Sequence, residues 1–310
     1  MRENAIPIPA NTTMQDSDAQ RVAATTALLL PHVESLANEH KQEVLAFLSE
    51  RPVHTVYLSG YILDNGVVSP LNRGSFYGYR NLEGRLEGVA LIGHATLFEI
   101  RSAEALAAFA SLAQSFTRAH MMMGEIEKIE HFWNLYGAGG QAPRLMCREL
   151  LFEQRFPVEV KKPVRGLRRA TLRDLEMLLP VHAEMVCEGG GVNPMEKDAN
   201  GFRLRCARRI EQGRVWVLIE NGRLIFKADI ISDTPEVAYL EGIYVSPEDR
   251  EQGIGQACLS QLTRHLLART KVVSLLVNEL NQAASAFYLK AGFKLRAHYD
   301  KIFLQQTISA

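Results

Sequence analysis

Apolar residues return at helical spacing from Ala19 to Leu48, and the run is interrupted at Pro31. Because a proline ring cannot continue a helix, two helices packing by one face are expected there. Strand-like stretches follow at Val53–Leu58, Ser75–Tyr79 and Leu86–Ile92, the last two separated by the turn-forming Asn81-Leu82-Glu83-Gly84. That order describes an antiparallel meander. Leu106, Phe109, Leu112 and Phe116 fall on one side of a helix expected from Ala103 to Ala119. Met121–Gly124 then reads as a short strand, Glu127–Tyr136 as a helix and Met146–Phe152 as a strand.

Two prolines and alternating basic residues mark Gln154–Arg168 as a junction. Beyond it Thr171 is placed to cap a helix running through Leu178 to Val186, its hydroxyl accepting from a first-turn amide, and Gly189-Gly190-Gly191 ends that helix. A second helix is expected near Gly201–Gln212. Strands at Val215–Glu220 and Leu224–Ile231 are joined by Asn221-Gly222, a pair whose readiness for positive φ suits a two-residue hairpin. There follow a strand (Val237–Val245), a helix (Ile254–Ala268), a strand (Val272–Val277), a helix (Gln282–Ala291) and a terminal hairpin (Phe293–Leu304). Both halves therefore run from helices through a meander to a helix–strand–helix–strand ending. The expected class is α/β with a mixed sheet: a loose tail at 1–18, one domain at 19–156 and a related one at 165–310.

The chain has 310 residues, 47% hydrophobic and 23% charged, enough to bury two cores. Thirty-five basic residues balance thirty-five acidic ones, so no net field favours nucleic acid or a membrane surface as partner. Cys147, Cys187, Cys206 and Cys258 form no C-x-x-C pair, which suits a reduced, cytoplasmic protein without disulfides. Nothing in the sequence has the order of a secretory signal or the length of apolar run that spans a bilayer. The histidines show no metal-ligand spacing, so no metal site is expected. Oligomeric state leaves no trace.

The informative stretch is Tyr239-Leu240-Glu241-Gly242-Ile243-Tyr244-Val245-Ser246-Pro247-Glu248-Asp249-Arg250-Glu251-Gln252-Gly253-Ile254-Gly255. A β-branched strand enters a charged turn and then two glycines that open a helix. Gly253 and Gly255 remove side chains where main-chain amides can approach a ligand, and a helix start presents unpaired N–H groups with partial positive charge. Such an end suits a diphosphate, and Arg250 adds a cation at its mouth. The alternative is a glycine-relaxed turn with no ligand. Neither the lysine of a nucleotide-hydrolase loop nor the third glycine of a dinucleotide loop is present.

R-x-x-G-x-G after a strand resembles the coenzyme A loop of GNAT acetyltransferases, and Val245-Ser246-Pro247 resembles the V-x-P that leads into it. Asn278 to Phe293 resembles the same family's N-x-x-A-x-x-x-Y-x-x-x-G-F pattern, with Asn281, Ala284, Tyr288, Gly292 and Phe293 at its named positions. Asn281 can cap that helix and Gly292 can end it in the left-handed conformation. Trp133-Asn134-Leu135, Arg148-Glu149-Leu150-Leu151, Glu188-Gly189-Gly190-Gly191-Val192-Asn193-Pro194 and Leu224-Ile225-Phe226-Lys227-Ala228 together look like a bacterial GNAT subfamily with its own amino-terminal domain of unknown function.

This resemblance implies a tandem GNAT-like fold whose second half binds acetyl-CoA and transfers the acetyl group to a primary amine, on a small molecule or on a protein lysine or N-terminus. A non-catalytic acetyl-CoA sensor is the alternative. The implied cofactor residues are Ile243, Tyr244 and Val245 on the strand; Arg250, Glu251, Gln252, Gly253, Ile254, Gly255 and Gln256 in the loop and first turn; and Asn281, Ala284 and Tyr288 on the last helix. Tyr288 would donate a proton to the departing thiolate, or else it is a core aromatic. Glu241 would take the proton an alkylammonium must lose, or else it pairs with a surface cation. Glu188 would contact the acceptor, or else it lies on a solvated loop. Lys227 would reach the acceptor pocket, cap a buried acid, or lie on the solvated face of its strand. In the first half the corresponding step, His94 to Ser102, lacks a glycine pair, so a degenerate domain is expected there. It would shape the acceptor pocket or recruit a protein substrate.

Overall fold

The computed structural model describes residues 32–160 and 163–305. The expected tail and the first of the two amino-terminal helices lie outside them. The chain divides into two compact units, one formed by the part up to Glu149 together with the part from Ala297, the other by Leu150–Arg296.

The first unit starts with a strand, β1 (Val33–Ser35), where a helix was expected, followed by α1 (Lys41–Ser49). Pairing decides this: β1 lies antiparallel to β2 (Gly74–Arg80), with Val33 opposite Tyr79, and that ladder supplies the backbone partners a helix would otherwise provide. The expected strand Val53–Leu58 is also corrected, because Val56–Asn65 forms α2. Its β-branched start suggests a strand, but the Thr55 hydroxyl donates to the Leu48 and Arg51 carbonyls and turns the chain into the helix. Strands β3 (Leu86–Gly93) and β4 (Ala95–Ile100) continue the meander, and β4 pairs parallel with β5 (Met121–Glu125) across α3 (Ala103–Gln114). Helix α4 (Ile126–Tyr136) follows β5. Phe109 and Ala113 of α3 and Ile129, Phe132 and Tyr136 of α4 cover the sheet as one buried cluster.

Strand β6 (Pro143–Gln154) carries the chain into the second unit. A short strand, β7 (Arg168–Arg169), precedes α5 (Leu175–Gly190) and α6 (Pro194–Glu211). Thr171 stands at the start of the turn before α5, where its amide and hydroxyl donate to the Asp174 carboxylate at 2.7 Å and 3.0 Å. Helix α6 begins earlier than expected and is broken at Asp198, where φ is −160°. Then come β8 (Val215–Glu220), β9 (Arg223–Asp233), β10 (Val237–Val245), α7 (Ile254–Leu267), β11 (Val272–Asn278) and α8 (Gln282–Lys290). The sheet is mixed: β7 to β10 are antiparallel neighbours, whereas β10 and β11 are parallel. On one face lie Cys258, Leu259, Leu262 and Leu266 of α7 against Ala238, Leu240, Val273 and Leu275. On the other, Leu175, Leu178 and Leu179 of α5 and Phe202, Cys206 and Ile210 of α6 pack against Val215, Val217 and Leu224. Each fully buried leucine in these layers stabilises the fold by roughly 1.5–3 kcal/mol.

The expected terminal hairpin is a single strand, β12 (Lys294–Leu304), antiparallel to β5 from Tyr299 opposite Glu125 to Phe303 opposite Met121. Its partner is far away in sequence, which is why local alternation suggested a self-paired turn. From Ala297 onward the chain thus belongs to the first unit, and the second ends at Arg296. No helix among the described residues is long and apolar enough to cross a membrane.

Candidate active site

Strands β10 and β11 pair from Val237 opposite Val272 to Leu240 opposite Leu275, and the register goes no further although both strands continue. At that point β10 also slips against β9. Glu241 faces Asp229 and Tyr244 faces Lys227, so Gly242 and Ile243 together stand opposite Ala228 alone. This is a bulge, and it bends the strand away from its straight course. Gly242 has a φ of +58°, a conformation that costs an L side chain energy and glycine nothing. Before the bulge β10 is fully buried; from Glu241 to Val245 it is half-buried. Two parallel strands therefore part where the main chain of Ile243, Tyr244 and Val245 becomes accessible.

The turn that follows is held by side chains. Arg223 reaches Asp249 at 2.5 Å and the Ser246 hydroxyl at 3.1 Å, and Arg250 Nε donates to the Val245 carbonyl at 3.1 Å. Gln252 donates to the Glu248 carbonyl and Gln256 to that of Lys290. Glu251 (φ +62°) and Gly253 (φ +80°) then turn the chain into α7, which has no side-chain cap. The first-turn amides, including those of Ile254, Gly255 and Gln256, thus point outward with the helix dipole behind them.

The two glycines of this loop do different work. A Cβ built on Gly253 meets nothing within 4 Å, so that position is open and its glycine serves the left-handed backbone. A Cβ on Gly255 would stand 2.5 Å from Val245 Cγ2, so this glycine lets α7 pack close against β10. Close packing, which the sequence reading did not foresee for Gly255, sets the distance between the helix start and the parted strand.

On α8, Asn281 Oδ1 accepts from the Ala284 amide at 3.0 Å, and Gly292 (φ +91°) closes the helix. Tyr288 is buried among the rings of Phe152, Phe287 and Phe293. Burial pushes its phenol well above the ordinary value, so the hydroxyl keeps its proton throughout the neutral range. Glu241 is half-buried and accepts from the Tyr239 hydroxyl at 3.3 Å. Cys258 is fully buried, and burial pushes its thiol up to about 12, which removes it as a nucleophile.

Of the roles read for Lys227, the structure assigns the capping of a buried acid. The residue is 1% exposed, not solvated, with its ammonium 2.9 Å from Asp229 Oδ1 and donating to the Gly242 carbonyl at 3.2 Å. Asp229 Oδ2 is also met by Arg209 of α6 at 3.0 Å and by His182 of α5 at 3.8 Å. Burial raises the Asp229 carboxyl, but Lys227 and Arg209 outweigh it and leave the acid below its ordinary value. His182 itself is lowered to about 3, first by burial and then by Lys227 and Arg209, against the pull of Asp229.

A neutral buried histidine has a stability consequence with a definite sign. Its folded pKa lies below the unfolded one, so its contribution is complete above about pH 6.5 and is lost as pH falls towards 3. We expect urea midpoints of the native protein to fall across that window more steeply than those of His182→Gln, whose acid limb keeps only the carboxylate part.

Glu188 lies in the last turn of α5 and lines a cavity of about 750 Å³ between α5 and α6, together with Glu184, Cys187, Asn193, Asn200 and Arg203. Asp229, Arg209 and His182 were missed in the sequence. Lys227 and Asp229 at alternate positions of an apolar strand, hence on one face, were the available signal.

In the first unit the register of β4 and β5 also stops early, at Leu97 opposite Met123. Beyond it stand Glu99 and Glu125, and Arg51 joins them, at 3.1 Å and 2.7 Å. Lys128 repeats the link at 3.0 Å and 3.3 Å, and Arg101 adds a third cation on Glu99. Burial raises Glu125, but Arg51, His54 and Lys128 hold it down at about 2. An internal ion cluster thus stands at the position where the second unit presents accessible main chain.

Residues 211–295 match the family model described as acetyltransferase (GNAT) domain. No curated protein matches the sequence. Among solved structures, the chain is similar to a Drosophila protein at 13% identity, over 89% of this chain and 99% of that one, with a TM-score of 0.67. It is also similar to a tandem GNAT protein from the clavulanic acid biosynthesis pathway, at 14% identity over 90% and 99% of the two chains, TM-score 0.55. A GNAT-family acetyltransferase from Colwellia psychrerythraea gives 12% identity over 88% and 99%, TM-score 0.51. At such identities the likeness is one of fold.

Proposed function

We propose that this chain, whose residues 211–295 match the acetyltransferase (GNAT) domain model, is an N-acetyltransferase whose second unit takes acetyl-CoA and acetylates a cationic primary amine. The observation that carries the reading is the conjunction of parted parallel strands with an uncapped helix start at an open, left-handed Gly253. The parted strands offer main-chain partners to an extended amide-bearing arm. The helix start offers amides and a positive dipole to a diphosphate, with Arg250 beside it. The residues fit the group on three counts: space at Gly253, accessible backbone at Ile243–Val245, and donors at the α7 terminus.

When bound, acetyl-CoA supplies an activated thioester. Glu241 takes a proton from the incoming ammonium, directly or through water, so that the free amine can attack the carbonyl carbon. As the new C–N bond forms and the C–S bond breaks, the Tyr288 hydroxyl would give its proton to the departing sulfur and regain one from the nitrogen, which must shed its remaining extra proton, directly or through water, to become the amide. A phenol held protonated by burial suits that order of events, because it remains a donor until the thiolate appears.

The acceptor is read from the cavity between α5 and α6. Arg203 is engaged by Glu176, which leaves Glu184 and Glu188, one helical turn apart on α5, to set the sign of the field there. An acceptor with a positive charge fits. Replacing both by glutamine should raise the KM for such an amine about tenfold, some 1.4 kcal/mol, and leave the KM for acetyl-CoA within twofold. Steady-state thiol release measures both constants.

The activity itself is tested by thiol release from acetyl-CoA against a panel of primary amines and peptides. Release that depends on the amine supports the reading. Release no faster than spontaneous hydrolysis with every amine, and no binding of CoA, would defeat it.

A further inference from the structure

We propose that the buried pair Lys227–Asp229 is a positioning device: by gripping the Gly242 carbonyl it locks the bulge that turns the Ile243–Val245 main chain towards the acyl-CoA arm. This rests on the function proposed above for the same strand. Its starting point is energetic. Taking two charges out of water costs several kcal/mol each, and a well-packed apolar pair of similar volume often stabilises a fold as much or more. A lysine and an aspartate that are each 1% exposed are therefore poorly explained by stability alone.

Geometry supplies the other explanation. The Lys227 ammonium has Asp229 Oδ1 at 2.9 Å and the Gly242 carbonyl oxygen at 3.2 Å, and Lys227 and Asp229 are the residues that face Tyr244 and Glu241, on either side of the slip. The cation thus bridges the flanks of the bulge. Gly242 is shaped to the bridge: at φ +58° its missing Cβ would lie 2.8 Å from Lys227 Nζ. Without this link, the Gly242 carbonyl in a stretch of strand with no ladder register would be free to rotate, and the amides after it would lose a fixed direction. Arg209 steadies Asp229 from α6, the helix that also carries Arg203 and Asn200 into the cavity. The wall of the acceptor cavity and the cofactor strand are in this way joined by three side chains.

A nucleophile relay through the same cluster does not fit. Cys206 Sγ is 3.3 Å from His182, but it meets Nδ1, the same nitrogen that faces Asp229 at 3.8 Å. An imidazole needs one nitrogen for the nucleophile and the other for the orienting acid. Burial also raises the Cys206 thiol above its ordinary value. Positioning is the role the cluster's geometry allows.

The test compares Lys227→Met, which fills the space without a donor, with Lys227→Gln, which is uncharged but retains an N–H for the Gly242 carbonyl, and with the apolar pair Lys227→Met/Asp229→Leu. Hydrogen exchange of the full, ligand-free chain is read over residues 240–246, and CoA affinity by titration calorimetry. The lock predicts that Lys227→Met and the apolar pair speed exchange of these amides about tenfold or more and weaken CoA binding by a similar factor, while Lys227→Gln stays within about threefold of the native protein. The apolar pair should also unfold within about 5 °C of the native protein, separating loss of the lock from loss of the fold. Equal exchange in Lys227→Met and Lys227→Gln, or native CoA affinity in the apolar pair, would overturn the proposal. If the native protein failed to bind CoA, the proposed function would fall while the exchange contrast still decided the lock.

Discussion

Tyr288→Phe is expected to lower kcat for acetyl transfer by about 10²–10⁴-fold, the range that loss of a positioned general acid covers, while the dissociation constant for CoA stays within about twofold. The substitution removes one oxygen and keeps the ring. Tyr288 packs through that ring against Phe152, Phe287 and Phe293, so the buried cluster is preserved and the midpoint of thermal unfolding should barely move. What is lost is a proton held ready by burial. Single-turnover thiol release compared with CoA titration separates the two effects. An unchanged kcat would reduce Tyr288 to a core aromatic and leave the thiolate to solvent.

Gly253→Asp is expected to weaken CoA binding about 100-fold, equivalent to about 2.8 kcal/mol, with a small change in stability. A side chain there enters open space, and aspartate is among the residues that tolerate a left-handed φ and favour a helix start. It is the charge that matters. A carboxylate at the uncapped end of α7 satisfies the amides and occupies the field that a diphosphate would use. Gly255 makes a useful contrast. A larger residue there would strike Val245, so its cost would appear in stability as well as in binding.

The second unit was more legible in the sequence than the first, and the reason lies in how local its signals are. The Asn221-Gly222 turn has φ of +52° and +75°, β10 keeps the bounds Val237–Val245 expected of it, and Asn281 caps α8. Each depends on residues a few positions apart. Strand β1, helix α2 and the undivided β12 depend on partners far along the chain, and there local periodicity misled. The motifs of the β10–α7 loop and of α8 were visible because glycines, an asparagine cap and a tyrosine sit at fixed offsets. The Lys227–Asp229–Arg209 link was not, because it joins β9 to a helix whose approach no local pattern records. Likewise the packing duty of Gly255 appears only once Val245 is set beside it.

The central claim is that the α7 terminus at Gly253 and the parted strands β10 and β11 together hold the diphosphate and arm of acyl-CoA. Titration calorimetry of the native chain with CoA, run beside Gly253→Asp, tests it most directly. Saturable binding at one site per chain, weakened about 100-fold by the substitution, is the predicted result. No saturable heat, or equal affinity in the two proteins, would contradict it.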